Sequence, residues 1–295
     1  MLNAPDLLEA EDEDGFTPLH LAVIQGNLPL VNLLISQNIN VNALDNEGHS
    51  IVHWAVVCGE IDALKACLNA GADISLADVN GASPLHFAAQ LCGANYEGKS
   101  DKASAKLALE ILQTILEHPL CKVDEEDKDG RTPLLWAASA GSETAVLQLT
   151  TLGHADAVSL LLDLGADPNR SDRKGTNYMI INNIFITYLR IPGRTPAHCG
   201  CNKGQLETIK ILGARKGNLW LRNAKGDLPI HEACQSGRRE LVQWLLEQKP
   251  IHVNTANNDG KSLLHIAASN DNADLCKMLM EFGAEVNSIY RTASN

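Results

Sequence analysis

Ten histidines and eight cysteines are the side chains of this 295-residue chain best suited to metal binding or nucleophilic chemistry. The densest cluster is His198-Cys199-Gly200-Cys201. A structural zinc site needs a pair of Cys or His ligands about two to four residues apart and a second pair elsewhere, and no second pair is present. Six histidines, at 20, 53, 86, 198, 231 and 265, form a regular series, 33 or 34 residues apart within each unbroken run. Side chains spaced that widely belong to successive layers of a structure and do not converge on one ion. They are expected to bond to backbone in the turn ahead of a helix. The carboxylates at Glu11 to Asp14 and Asp124 to Asp127 lie side by side in polar stretches, so they read as solvated charge, not as an acid–base pair. No nucleophile elbow, phosphate-cradling glycine loop or His-Glu-x-x-His occurs. The sequence reads as a chain with no catalytic residues, no metal site and no cofactor, hence not an enzyme.

What positions the histidines is a repeat. Gly15, Gly48 and Gly81 are 33 residues apart, Gly193 and Gly226 again 33, and Gly260 follows after 34. Each opens a variant of one phrase: Gly-Phe-Thr-Pro-Leu-His-Leu-Ala at 15, Gly-Ala-Ser-Pro-Leu-His-Phe-Ala at 81, Gly-Arg-Thr-Pro-Leu-Leu-Trp-Ala at 130. This resembles the ankyrin-repeat family, whose signature is Thr-Pro-Leu-His-x-Ala at a 33-residue period. The resemblance runs from Gly15 to about Asn287. It implies an all-α solenoid of seven helix-turn-helix repeats with hairpin-like finger loops, at 15–47, 48–80, 81–129, 130–175, 193–225, 226–259 and 260–292, with the domain at 15–295 and an acidic segment at 1–14 that looks like the tail of an earlier repeat.

One copy makes physical sense alone. Thr17 has a hydroxyl to cap a helix, and Pro18 suits the first helical position, where its missing N–H costs nothing. The helix is expected to end near Gly26, and a second helix to follow with Leu30, Leu33 and Leu34 on one face. Such a unit has no means of burying its apolar stripe except against neighbours. Some copies depart from the phrase. Ser50-Ile51 and Ser262-Leu263 lack the proline, Leu135 replaces the histidine, and Leu228 stands at the cap position, which weakens that helix start by about 0.5–2 kcal/mol.

The period breaks three times, with insertions near 93–106, 143–154 and 176–192. The first contains the polar run Gly93 to Lys102. In the second, Gly141-Ser-Glu-Thr-Ala-Val-Leu-Gln-Leu and Gly153-His-Ala-Asp-Ala-Val-Ser-Leu-Leu are near copies 12 residues apart. The later copy is expected in the stack, because Gly165-Ala-Asp-Pro-Asn follows it. In the third, removing Thr176 to Gly193 joins Arg173-Lys174-Gly175 to Arg194-Thr195-Pro196 and restores the period. That segment is either an adhesive loop or a stretch that the mature protein lacks.

Composition narrows the function. The net charge is −12, which opposes general binding to nucleic acid and offers no attraction to an anionic membrane. No stretch reaches the roughly 18 apolar residues of a membrane span. Tyr178 to Ile191 comes nearest and carries Asn182, Asn183 and Arg190. The start has no signal-peptide pattern, and scattered cysteines suit reduced, buried thiols. A monomeric cytoplasmic protein is expected.

Ankyrin-type solenoids bind other proteins on a concave face made by fingers and first helices. The residue after each signature histidine reads Leu21, Trp54, Phe87, Trp136, Cys199, Glu232 and Ile266, and the first four form an apolar stripe expected to anchor a partner; packing between repeats is the competing role. Finger tips shift from Asn46-Glu47 through Val79-Asn80 and Lys128-Asp129 to Arg173-Lys174 and Ala224-Lys225. Asn42, Asn169, Asn254 and Asn287 each follow a leucine by eight residues, similar to sites of asparaginyl hydroxylation, and Asn also stabilises tight turns. The main reading is a scaffold or adaptor, similar to inversin-type cytoskeletal or ciliary scaffolds. The alternative is the targeting arm of a larger enzyme, channel or ubiquitin-ligase subunit, and the lack of a polar capping repeat before Asn295 points to a segment of a longer chain.

Overall fold

The computed structural model describes residues 8–91, 102–140, 150–173, 180–181, 184–185 and 191–286. Fourteen α-helices form seven pairs among these residues: α1 Pro18–Ile24 and α2 Leu28–Ile35, α3 Ile51–Cys58 and α4 Ile61–Asn69, α5 Pro84–Leu91 and α6 Lys102–Leu116, α7 Pro133–Ser139 and α8 Thr150–Asp163, α9 Pro196–Lys203 and α10 Leu206–Ala214, α11 Pro229–Gln235 and α12 Arg239–Gln248, α13 Leu263–Ser269 and α14 Ala273–Glu281. First helices stack on first helices from α1 to α13, and second helices on second helices from α2 to α10. One apolar core runs the length of the stack, from Leu19 to Ala284.

The helix starts follow the local chemistry. In repeat one, the Thr17 backbone N–H donates to His20 Nδ1 at 3.1 Å, and the His20 backbone N–H donates back to the Thr17 hydroxyl. Ser50 with His53 repeats both bonds, and the Ser83 and Thr195 N–H groups likewise donate to Nδ1 of His86 and His198. Leu228 has no side-chain oxygen, yet its N–H still donates to His231 Nδ1 at 3.1 Å, and its carbonyl accepts the His231 N–H at 2.9 Å. The second helix of repeat one corrects the expected face. Val31 and Leu34 are buried, whereas Leu30 and Leu33 stand exposed. The covered stripe is set one residue further along, where α1 and α4 close over it.

The far nitrogen of four of these histidines crosses to the next layer. His53 Nε2 meets the Ala82 carbonyl at 3.1 Å, His86 the Arg131 carbonyl at 3.0 Å, His198 the Asp227 carbonyl at 3.0 Å and His231 the Thr255 carbonyl at 3.1 Å. A carbonyl only accepts, so Nε2 carries the proton and Nδ1 is the bare acceptor. In repeat one, His20 Nε2 is buried without a hydrogen-bond partner.

The fingers follow one plan. An Asp or Asn three residues before each glycine closes a turn through its side-chain oxygen and its backbone N–H. Asp45 Oδ1 accepts from the Glu47 and His49 N–H groups, and the Asp45 N–H donates to the His49 carbonyl. Asp12, Asp78, Asp127, Asn223 and Asn257 do the same. At Asp172 the turn closes across the third insertion. The Asp172 N–H donates to the Arg194 carbonyl at 3.0 Å, the Arg194 N–H to Asp172 Oδ1 at 2.9 Å, and the Gly193 N–H to the Asp172 carbonyl at 3.0 Å. Gly193, at φ +81°, takes the left-handed position that Gly175 would hold by spacing. The insertion leaves and re-enters the stack at one finger tip, and within it Ile180–Ile181 pairs antiparallel with Ile184–Phe185.

In repeat four, α8 contains the copy that begins at Gly153, with Val158 and Leu161 buried against the core; the other copy lies mostly outside the described residues. Most of 93–106 also lies outside them, and Ile111, Leu112 and Ile115 carry the third repeat's second helix into the core. A short 3-10 helix at Pro250–Asn254, which the period does not foretell, precedes the last repeat.

Two predictions follow from these bonds. Excising residues 176–193 joins Gly175 to Arg194 and shortens the closed turn from 22 to the usual 4 residues, worth about 1.5 kcal/mol of closure entropy. The expected melting temperature, by calorimetry, is equal or higher; a large drop would mean that the segment braces the stack. Burial holds His53, His198 and His231 down at about 4, against about 6.5 in an unfolded chain. Their stabilisation is complete above pH 6.5 and is lost as pH falls towards 4, by at most about 1.4 kcal/mol per histidine per pH unit. Melting temperature is therefore expected to fall from pH 7 to pH 5, and a flat profile there would contradict the neutral interlayer histidines.

Candidate functional site

The stripe after the signature histidines divides in two. Leu21 is 42% exposed, and Trp54, Phe87 and Trp136 are half-buried. Cys199, Glu232 and Ile266 are buried, so the accessible part of the stripe ends with repeat four.

The aromatic side chains form a ladder across four layers. Phe16 meets Trp54 edge-on at 5.3 Å between ring centres. His49 lies 5.8 Å from both Trp54 and Phe87, edge-on to each. Phe87 meets Trp136 at 5.5 Å, and the Arg131 guanidinium lies 5.0 Å over the Trp136 ring. Phe87 also leans on His53, and Trp136 on His86. The rings thus pack between repeats and keep part of their surface open. Phe16, His49 and Arg131 belong to this site although the histidine-based stripe omits them. Their signal is positional, since each directly follows the glycine that opens a repeat.

Polar anchors fix the rings. Trp54 Nε1 donates to Asp45 Oδ2 at 3.0 Å, and Trp136 Nε1 to Asp127 Oδ2 at 3.0 Å. Each indole lies nine residues after the finger aspartate whose other oxygen closes the turn. In repeat six the finger residue is Asn223, a donor, and Glu232, an acceptor, stands nine residues on; Asn223 Nδ2 donates to Glu232 Oε1 at 3.4 Å. The pairing keeps donor against acceptor while the residue types change. Burial alone would raise the Asp45 carboxyl, but N–H bonds from His49 and Trp54 outweigh it and hold the group below the usual range. At Asp172 burial prevails and the carboxyl is raised despite the Arg194 N–H.

Beyond repeat four the face becomes a buried ion pair. Arg194 Nε donates to Glu232 Oε1 at 2.9 Å, and its Nη2 donates to Glu232 Oε2. Burial pushes the Glu232 carboxyl up and Arg194 pulls it back. Both side chains are spent on each other and offer little to a ligand.

The other sequence candidates resolve into structural roles or surface positions. Cys199 and Cys201 are buried in α9, where burial raises both thiols, and His198 beside them bonds to Thr195 and Asp227. Among the described residues no three His, Cys, Asp or Glu side chains come together as a metal site, and no helix is long and apolar enough to cross a membrane. Asn42 Oδ1 accepts the Asp73 N–H at 2.7 Å, Asn169 Oδ1 the Asn218 N–H at 2.6 Å and Asn254 Oδ1 the Glu285 N–H at 2.9 Å. Each amide therefore ties one repeat to the next. Asn287 lies outside the described residues.

The Asp127 carboxylate gathers N–H groups from Asp129, Arg131 and Trp136. Asp127→Ala is expected to cost about 2–3 kcal/mol, since it leaves buried donors unpaired. Urea denaturation checks this, and a loss under about 0.5 kcal/mol would show that water replaces the carboxylate.

Comparison with known proteins agrees with this architecture. A family model described as ankyrin repeats (3 copies) matches residues 2–78, 102–223, 152–257 and 197–290. Transient receptor potential cation channel subfamily A member 1 of Homo sapiens is 36% identical over 93 residues, 32% of this chain and 8% of that protein. Rabankyrin-5 of Mus musculus is 26% identical over 172 residues, 58% of this chain and 12% of its own length. Inversin of Mus musculus is 30% identical over 164 residues, 55% of this chain and 13% of its own. The chain therefore spans only a small part of these relatives. Among solved structures, the human ASB11 ankyrin repeat domain superposes with TM-score 0.65 at 21% identity, covering 92% of this chain and 99% of that one, and that of Bcl-3 with 0.62 at 22%, covering 90% and 100%. The matched models and the repeated layer place this chain in the ankyrin-repeat family.

Proposed function

We propose that the chain is a non-catalytic scaffold that captures a protein partner on the finger side of its first four repeats. Ankyrin repeats in general mediate protein–protein interaction. The observation that carries the finer reading is the half-open ring ladder, with Leu21 exposed beside it. Rigid aromatic side chains with one face packed and one face free make strong anchors, because little rotamer freedom is lost on binding. The chain acts as a monomer in the cytoplasm on this reading, without nucleic acid or membrane insertion. Asn42, Asn169, Asn254 and Asn287 are its candidate hydroxylation sites, supported by the leucine eight residues before each; peptide mass spectrometry finding an added oxygen on Asn42 would bear this out.

The second reading is a targeting arm within a larger protein. The observation that favours it is the small share of each relative that the chain spans, 8% of a cation channel and 12% of rabankyrin-5.

Affinity capture tests the face. Trp54→Ala with Trp136→Ala, and separately Leu21→Ala, are expected to lower recovery of specific partners about tenfold or more, as for interface hot spots. Ile251→Ala, 81% exposed and outside the ladder, is the control expected to change nothing. Folded ladder variants that capture the same proteins equally well would sink the assignment.

A further inference from the structure

The ladder is apolar along its length but electrically asymmetric. Residues 1–129 carry 21 acidic and 6 basic side chains, a balance of −15, whereas residues 130–295 carry 15 acidic and 18 basic, a balance of +3. Every arginine of the chain lies at position 131 or beyond.

The same polarity holds at the rings themselves. At the repeat-two end, the Glu47 side chain is 78% exposed, with Oε2 3.8 Å from Nδ1 of the His49 imidazole that lies between Trp54 and Phe87. The neighbouring tip brings exposed Asp14 alongside, since the Asp14 carbonyl accepts the Asn46 N–H at 3.0 Å. The carboxylates beneath the ladder are already engaged by turn N–H groups and an indole, so the tip carboxylates are the ones with charge to offer. At the repeat-four end, Arg131 covers the Trp136 ring while its guanidinium pairs with Asp127 at 2.7 Å and Asp129 at 3.6 Å, and Arg170 and Arg173 at the next finger pair with Glu126.

We propose that this face takes an extended protein segment of defined polarity. A lysine or arginine of the partner lies over Trp54, held by Glu47 and Asp14; apolar side chains lie along Phe87; and an uncharged or acidic residue reaches Trp136 and Arg131. The inference rests on the finger-side binding reading above and adds the sign and direction of the ligand. A cation gains from the indole quadrupole and from the tip carboxylates together. At Trp136 the ring face is already covered by the chain's own Arg131, so the same cation finds no open indole face there, and rim charge at the other end selects orientation and partner. An acidic segment or a nucleic acid would meet the −15 half as a like charge.

Two fluorescein-labelled peptides on one Gly-Leu backbone test the proposal, one with two lysines and an arginine at one end, the other with two glutamates and an aspartate there. Their anisotropy is followed with the whole chain. The cationic peptide is expected to bind about tenfold more tightly than the acidic one or better, with affinity falling as salt rises. Glu47→Lys, on an exposed side chain, is expected to weaken it about fivefold, and Lys225→Glu, at an exposed tip of the other half, to leave it within about twofold. Trp54→Ala reports on the face, with circular dichroism to check folding; if it does not fold, Leu21→Ala takes its place. An acidic peptide that binds as tightly, and through Trp54, overturns the polarity and leaves the face standing. Cationic binding that ignores Trp54 and Leu21 is adventitious attraction to an acidic surface, and it overturns both. Failure of both peptides to bind overturns the proposal.

Discussion

Each layer of this protein is two short helices thick and has an apolar face on both sides, so no layer is stable until the next covers it. The core is accordingly one continuous column, and the polar features that persist from repeat to repeat are bonds between layers. Histidine Nε2 donates to a carbonyl of the following repeat. Finger tips exchange one backbone bond per step, from Asn46 with Asp14 to Asn258 with Lys225. Asn42, Asn169 and Asn254 close the base of the fingers. A repeat protein is held by nearest neighbours alone, and these three kinds of bond recur along the buried column.

The junction between repeats four and five departs most from the plan. Leu135 has no Nε2–H for the next layer, and with Ala138 and Cys199 it forms a small apolar cluster apart from the main column. The finger there carries the 18 extra residues, and the buried Arg194–Glu232 pair follows directly. The column crosses this junction because the Asp172 turn ignores the inserted length. A turn closed at its base by two backbone bonds and one carboxylate oxygen is indifferent to what hangs from its tip. Arg173 and Pro192, at the two ends of the insertion, still make the layer-to-layer tip bonds, the first donating to the Asp129 carbonyl and the second accepting from the Ala224 N–H.

The ring ladder grows from the same finger chemistry. The aspartate that closes each turn has a second oxygen, and in repeats two and four an indole nine residues later takes it. The rings are therefore placed by the fold's own framework and need no dedicated scaffold. Where Asn223 replaces the aspartate, the partner becomes Glu232, which recruits Arg194, and an aromatic anchor gives way to an internal ion pair. One donor–acceptor rule thus yields a half with partly open rings and a self-satisfied half.

Much of the fold was legible in the residues, because each repeat states its own boundaries: a glycine for the left-handed turn, a hydroxyl and proline for the helix start, a histidine to lock the cap. The stripe of Leu21, Trp54, Phe87 and Trp136 was legible too, since it sits at one fixed offset from that histidine. Which of those side chains are accessible was not, and neither were Phe16, His49 and Arg131 as members of the ladder, or the face of α2 that is buried. Phe16 reaches Trp54 and His49 reaches Phe87 across 38 positions, and Arg131 joins through Trp136, whose own place is set by the neighbouring layer. The layer could be read from the residues alone, because its signals are local and recur with the period. How much of each ring stays open, and which carboxylate holds it, emerges in the assembled stack, because burial belongs to neighbouring layers together and not to any one repeat.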